Sequence, residues 1–131
     1  MSKYHNEKIT INGETFDSKL EAKRYGILKL YQKAGKITRL ERQVKFEIIP
    51  KGVDPFGKFI KPETYIADFT YTDSDGRFRV EDVKGYRKGA AWNLFQAKRK
   101  ALYYLKGIWV EVVTEDTVEN LSWAAFVRST R

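Results

Sequence analysis

The chain has 131 residues, with 25 Lys and Arg against 17 Asp and Glu, a net charge of +8 and no cysteine. That length suits one compact domain spanning residues 1–131, which can bury a core without covalent staples. The composition excludes a disulfide framework and a thiolate zinc site, and the lone histidine, His5, lies so near the N-terminal end that a Ser-His-Asp triad or a multi-histidine metal centre is hard to build. No apolar run is long enough to span a membrane, and Met1 to His5 lead into no apolar segment, so a cytoplasmic location and no membrane partner are expected.

Ile9, Ile11, Thr15 and Phe16 flank Asn12-Gly13, whose tolerance of positive φ predicts a tight hairpin. A helix over 18–34 follows, opened by Ser18-Lys19-Leu20-Glu21 as a capping box and closed by Gly35, with Leu20, Ile27, Leu28 and Tyr31 as its apolar stripe. Val44, Phe46 and Ile48 alternate through a strand that Pro50 closes, and residues 51–62 read as a loop. Two strands, 65–71 and 78–84, flank the turn formers Thr72 to Arg77. A second helix over 90–105 carries Trp92, Phe95, Leu102 and Leu105 as its core stripe. Gly107 ends it, 108–113 forms a last strand, and Thr114 or Asp116 caps a short C-terminal helix with Val118, Leu121, Trp123 and Phe126. The expected class is α/β (α+β), a mixed central sheet flanked by helices in the order αβββαβ, after an N-terminal hairpin.

A balance of +8 in so small a domain points to a polyanionic partner, and nucleic acid is the first candidate. The charge is also concentrated. From Val83 to Val110 no acid interrupts Lys84, Arg87, Lys88, Lys98, Arg99, Lys100 and Lys106.

Strand alternation places Asp82 and Lys84 on one face and Glu81 on the other, where a helix lysine would pair with it. A hairpin closing around Asp75 sets Asp68 across from Asp82. Two like charges facing each other in a sheet are destabilising unless compensated, and a hard divalent cation such as Mg²⁺ or Mn²⁺ would compensate them. Lys84 beside them would orient a water and offset charge developing on a phosphate.

Asp68, followed on the next strand by Asp82-Val83-Lys84, resembles the Asp…(Asp/Glu)-x-Lys signature of the PD-(D/E)XK nuclease superfamily. The strings from Phe16 to Ala22, Tyr65 to Phe69 and Glu81 to Gly85 also resemble a family of small phage and bacterial proteins placed in that superfamily. Ala67 stands where the naming proline of the motif would be. Only Asp82 has the two-residue spacing to Lys84, so it rather than Glu81 is taken as the motif acid.

The resemblance implies a Mg²⁺- or Mn²⁺-dependent endonuclease acting on DNA in phage or bacterial replication, recombination or repair, in the host cytoplasm if phage-encoded. Asp68 and Asp82, with Glu21 of the first helix, would hold one or two ions, and Lys84 would orient the attacking water. Glu21 has a second reading as the capping-box acid. Arg87, Lys88, Lys98, Arg99 and Lys100 are expected to contact DNA, and Gln96 and Gln43 are candidates to assist. Tyr86, next to the motif, either touches the scissile strand or shapes its loop.

With no separate recognition domain, structure-directed cutting of branched or junction DNA is expected over sequence-specific restriction. Resolving a junction would require a homodimer, for which Trp109, Trp123 and Phe126 offer apolar surface, although core packing is the role expected of them first. Two alternatives are a non-catalytic nucleic-acid-binding module on a nuclease-like fold and an RNA-processing nuclease. Trp92, Tyr103 and Tyr104 are the aromatics that a single-strand platform would draw on.

Overall fold

The computed structural model describes residues 7–120. Asn12 and Gly13 take φ of 53° and 83° and join β1 (Ile9–Ile11) to β2 (Glu14–Phe16), as the dipeptide predicts. Helix α1 (Lys19–Lys33) is capped by the Ser18 hydroxyl, which accepts from the Glu21 N–H at 3.1 Å. Strand β3 (Thr38–Ile49) precedes a small hairpin of β4 (Gly52–Val53) and β5 (Phe59–Ile60). Strands β6 (Glu63–Thr72) and β7 (Phe78–Val83), helix α2 (Gly89–Lys106) and β8 (Val110–Val113) follow.

The main sheet has the order β3-β6-β7-β8, antiparallel except for the parallel β7–β8 pair. A parallel pair needs a long crossover, and α2 supplies it. Leu28 of α1 packs with Ile37, Phe69 and Tyr71, whereas Phe95 and Leu102 of α2 pack with Ile48, Tyr65, Ala67, Val80 and Val110. Val80 belongs to the α2 cluster while its neighbour Glu81 pairs with Arg24 of α1, so the helices cover opposite faces. Among the described residues no helix is long and apolar enough to cross a membrane.

The mixed sheet and the order αβββαβ agree with the expectation, but several details differ. Residues 51–62, read as a loop, contain the β4–β5 hairpin, because Asp54 Oδ1 accepts from the Phe56 and Lys58 N–H groups and tightens its turn. The buried face of α1 is Glu21, Ala22, Arg24 and Leu28, a charged face that apolar periodicity does not mark. In α2 only Phe95 and Leu102 are buried, and Leu105, about 60° round the helix from Leu102, is 57% exposed. Thr114 to Asn120 form turns rather than the expected helix, with the Thr117 N–H bonded to Thr114 O and the Asn120 N–H to Thr117 O. Leu121, Trp123 and Phe126 lie outside the described residues.

The β6–β7 turn fixes the register on which the site depends. The buried Asp73 carboxylate accepts from the N–H groups of Asp75 (2.8 Å) and Arg77 (2.9 Å) and from Arg79 Nε (2.9 Å). Burial alone would raise its pKa, but the Arg77 N–H and the Arg79 guanidinium outweigh that and hold it below its ordinary 3.8. The stability this group confers is therefore present above its unfolded pKa and is lost as pH falls through the lower folded value. Asp73→Ala should cost about 2 kcal/mol near neutral pH. In urea melts across a pH series, the gap between wild type and variant should close only below the ordinary carboxylate range.

Candidate active site

The β6–β7 ladder runs through Tyr71↔Arg79, Thr70↔Val80 and Phe69↔Glu81, so the next step along it brings Asp68 to Asp82, the register expected from the turn. The two aspartates interlock through backbone donors. Asp82 Oδ1 accepts from the Asp68 N–H at 3.3 Å, and Asp68 Oδ2 accepts from the Val83 N–H at 2.8 Å.

Alternation itself breaks here. Ala67 packs in the α2 cluster and Phe69, two residues on, packs in the α1 cluster, so Asp68 is where β6 exchanges its faces. Across the ladder Arg42 pairs with Phe69 and Val44 with Ala67, and Gln43 between them has φ of 52°. A left-handed residue inside a strand is rare for a non-glycine and twists the chain locally. Both strands turn over together with no residue inserted, which leaves Gln43 and Asp68 together at the bend.

Gln43 Nε2 donates to Asp68 Oδ1 at 3.3 Å and to Glu21 Oε2 at 3.2 Å, linking α1 to the aspartate pair. Glu21 uses its backbone and its two carboxylate oxygens separately, and Oε1 reaches the Asp17 N–H rather than that of Ser18. Its N–H is capped by Ser18, its Oε1 accepts from the Asp17 N–H at 3.3 Å, and its other oxygen faces the cleft. Lys84 Nζ lies 2.9 Å from Asp82 Oδ2 and 4.3 Å from the centre of the Phe95 ring, which holds the ammonium over the cleft floor. These groups line a cleft of about 490 Å³ with Tyr65, Leu94, Phe95 and Lys98.

The electrostatics are those of crowded acids. Burial, then the charge of Asp82, pushes the Asp68 carboxyl up to about 9. Glu21 is raised by burial and then by Asp17, and it also feels Asp82. The Tyr65 phenol is pushed up by burial and by both aspartates. Nothing in the sequence marks the Tyr65 hydroxyl end as part of the site.

Asp82 is separated from its neighbour Glu81 by the sheet itself. Glu81 is fully buried on the α1 face, where Arg24 Nε and Nη2 donate to its two oxygens at 2.8 and 2.6 Å, and the Tyr71 hydroxyl also donates to it. The helix partner is an arginine rather than the expected lysine, because its planar fork satisfies both carboxylate oxygens at once. Arg24 also donates to the carbonyls of Val118 (2.9 Å) and Asn120.

The basic residues of the second half separate into groups. Lys98 lines the cleft and pairs with Glu63 at 3.3 Å. Arg99 points elsewhere, donating to the Val110 carbonyl and to Gln96 Oε1, so Gln96 is engaged outside the cleft. Arg87, Lys88 and Lys100 are exposed and do not line it, and Tyr86 is 39% exposed in the loop after Lys84. Trp109, a candidate for core packing, is 46% exposed.

The two neighbouring acids should respond oppositely to mutation. Glu81→Ala strands the Arg24 guanidinium in the interior and should lower stability by about 3–5 kcal/mol. Asp82→Asn removes one of two facing carboxylates and should leave urea-unfolding stability unchanged or higher. The reverse pattern would assign the site to Glu81.

No curated protein and no solved structure matches the chain. A family model described as "Protein of unknown function (DUF1064)" matches residues 1–117, and the chain belongs to that family.

Proposed function

We propose that this chain is a divalent-cation-dependent endonuclease that hydrolyses DNA phosphodiesters, similar to the PD-(D/E)XK superfamily. The observation that carries this reading is the interlocked Asp68–Asp82 pair with Lys84 at 2.9 Å, set in a cleft rather than neutralised in the core. Two carboxylates in such contact share a proton or a cation at neutral pH, and all the donors present are hard oxygens, a set that fits Mg²⁺ or Mn²⁺. Among the described residues no group of three or more Asp, Glu or His side chains is already placed to hold a metal ion, so the aspartate pair is the minimal ligand set. Asp68 and Asp82 would hold the cation, with Glu21 reaching the same cleft behind Gln43.

A bound cation supplies Lewis acidity, which makes hydroxide available near neutral pH without a histidine. The remaining tasks fall to side chains. Lys84, steadied over Phe95, offsets negative charge as it develops on the phosphate and orients the attacking water. Gln43 holds the Asp68 carboxylate in place through its amide. Leu94 and Phe95 present an apolar wall that strengthens these charges by excluding water. DNA as partner accords with the net charge of +8 and its concentration between Val83 and Val110. Branched or junction DNA, cut by a homodimer where two incisions are needed, is the substrate form this reading favours.

Two measurements test the reading. Mg²⁺ or Mn²⁺ should raise the melting temperature of the wild type by about 3 °C or more, whereas Asp68→Asn should melt at least as high as wild type in EDTA and gain nothing from the metal. On a panel of duplex, flap, junction and single-stranded DNA, cleavage should need the metal and fall at least about 100-fold in Asp82→Asn and in Lys84→Ala. DNA binding that is salt-dependent but indifferent to EDTA, with no cleavage of any member, would instead establish a non-catalytic binding module.

A further inference from the structure

A second cavity, of about 770 Å³, lies at the opposite end of β7 from Asp82, and the metal chemistry proposed above leaves it unused. Its walls are aromatic and its rim is basic. The Trp109 ring has the Arg99 guanidinium over one face, 3.8 Å from the ring centre, and Tyr103 meets Trp109 at 5.6 Å with the planes 80° apart. Phe78, at the start of β7, completes the wall. Phe78, Tyr103 and Trp109 are 56%, 51% and 46% exposed, far more than rings that serve only as core. Arg77 and Arg99 both line the cavity, and the acid in its lining, Glu111, lies 3.6 Å from Arg79.

The geometry points to a stacking platform for an unpaired nucleotide, so that the substrate class is DNA with a single-stranded arm beside a duplex. This rests on the proposed function for the cutting step but not for the binding. Nucleobases stack on aromatic rings and on guanidinium planes whatever their sequence, and arginines at the rim meet the phosphates that join them.

Placement supports the same occupant. Phe78, Val80 and Asp82 share one face of β7, so the platform and the aspartates lie on the α2 side, about 13 Å apart along the strand. That distance is spanned by about four stacked nucleotides. Helix α2 runs beside the whole path, with Leu94 and Lys98 at the cleft and Arg99 and Tyr103 at the platform. Phe95 lies between the two sites, with Lys84 4.3 Å from its ring centre and Arg99 6.0 Å from it. A partner that is apolar alone would make no use of Arg77 at the rim, and a uniform duplex would not use the exposed rings.

The test is equilibrium binding in EDTA, where no strand is cut, of a splayed-arm DNA and of the blunt duplex of the same sequence. The arm carries 2-aminopurine, whose emission falls on stacking. Wild type should bind the splayed arm more tightly and quench the probe. Trp109→Leu and Tyr103→Ser should each weaken splayed-arm binding about tenfold, leave duplex binding unchanged and restore emission. Trp109→Phe should recover most of the loss. Tyr103 lies on an exposed helix surface, so its variant reports even if Trp109→Leu fails to fold.

Loss of the splayed-arm preference together with metal-dependent cleavage supports both the platform and the nuclease reading. The same loss without cleavage by wild type upholds the platform and removes the nuclease reading. Equal weakening on both DNAs, no weakening on either, or no DNA binding by wild type overturns the platform, whatever the cleavage assay shows.

Discussion

The ion pair between Arg24 and Glu81 is the constraint on which the rest of the molecule depends. It joins the middle of α1 to the central strand β7 with both side chains fully buried, and it extends through Arg24 to the carbonyls of Val118 and Asn120. Such a pair gains little over a well-packed apolar substitute but is very costly to break, so it acts as a registration device more than as a source of stability. The two sides of β7 then follow from one another. Glu81 draws α1 onto one face, which brings Glu21, one turn before Arg24, to the rim of the cleft that Asp82 enters from the other face. Adjacent acids in one strand thus do opposite work.

The cleft is built from features that oppose local stability. Asp68 and Asp82 are two acids crowded together, Gln43 sits at positive φ within a strand, and β3 and β6 exchange their faces at that point. A sequence selected only for folding would remove each of these. Their coincidence at one place, with an ammonium beside them and an apolar wall behind, is the pattern expected where stability is given up for chemistry.

Helix α2 carries Lys98, Arg99, Lys100 and Lys106 and no acid, and its packing divides that charge by role. Phe95 and Leu102 anchor it to the sheet, and Lys98 and Arg99, adjacent in sequence, are directed to different cavities. Lys84 and Arg99 approach the Phe95 ring from two sites, so one buried ring organises two cations. A continuous basic surface would bind any polyanion. The segregation of these cations, with exposed aromatics near only one of them, is what gives the surface a direction.

The local elements were legible because they rest on short-range chemistry. Asn12-Gly13 makes a hairpin because both residues accept positive φ, Ser18 caps α1 with its hydroxyl, and Gly107 ends α2 in a left-handed turn. The Asp68–Asp82–Lys84 set was also legible, because the Asp75 turn and a period of two suffice to align two adjacent strands. The charged face of α1 was not, since burying Glu21 and Arg24 is favourable only once Gln43 and Glu81 arrive from distant strands. Nor was the face exchange at Asp68, because alternation assumes an unbroken pleat, and only the paired twist at Gln43 breaks it. The catalytic candidates were therefore determined by the sequence, whereas their surroundings were decided by the tertiary structure, through contacts between residues far apart in the chain: the Gln43 bridge, the Tyr65 phenol, the Phe95 ring under Lys84 and the aromatic cavity around Trp109.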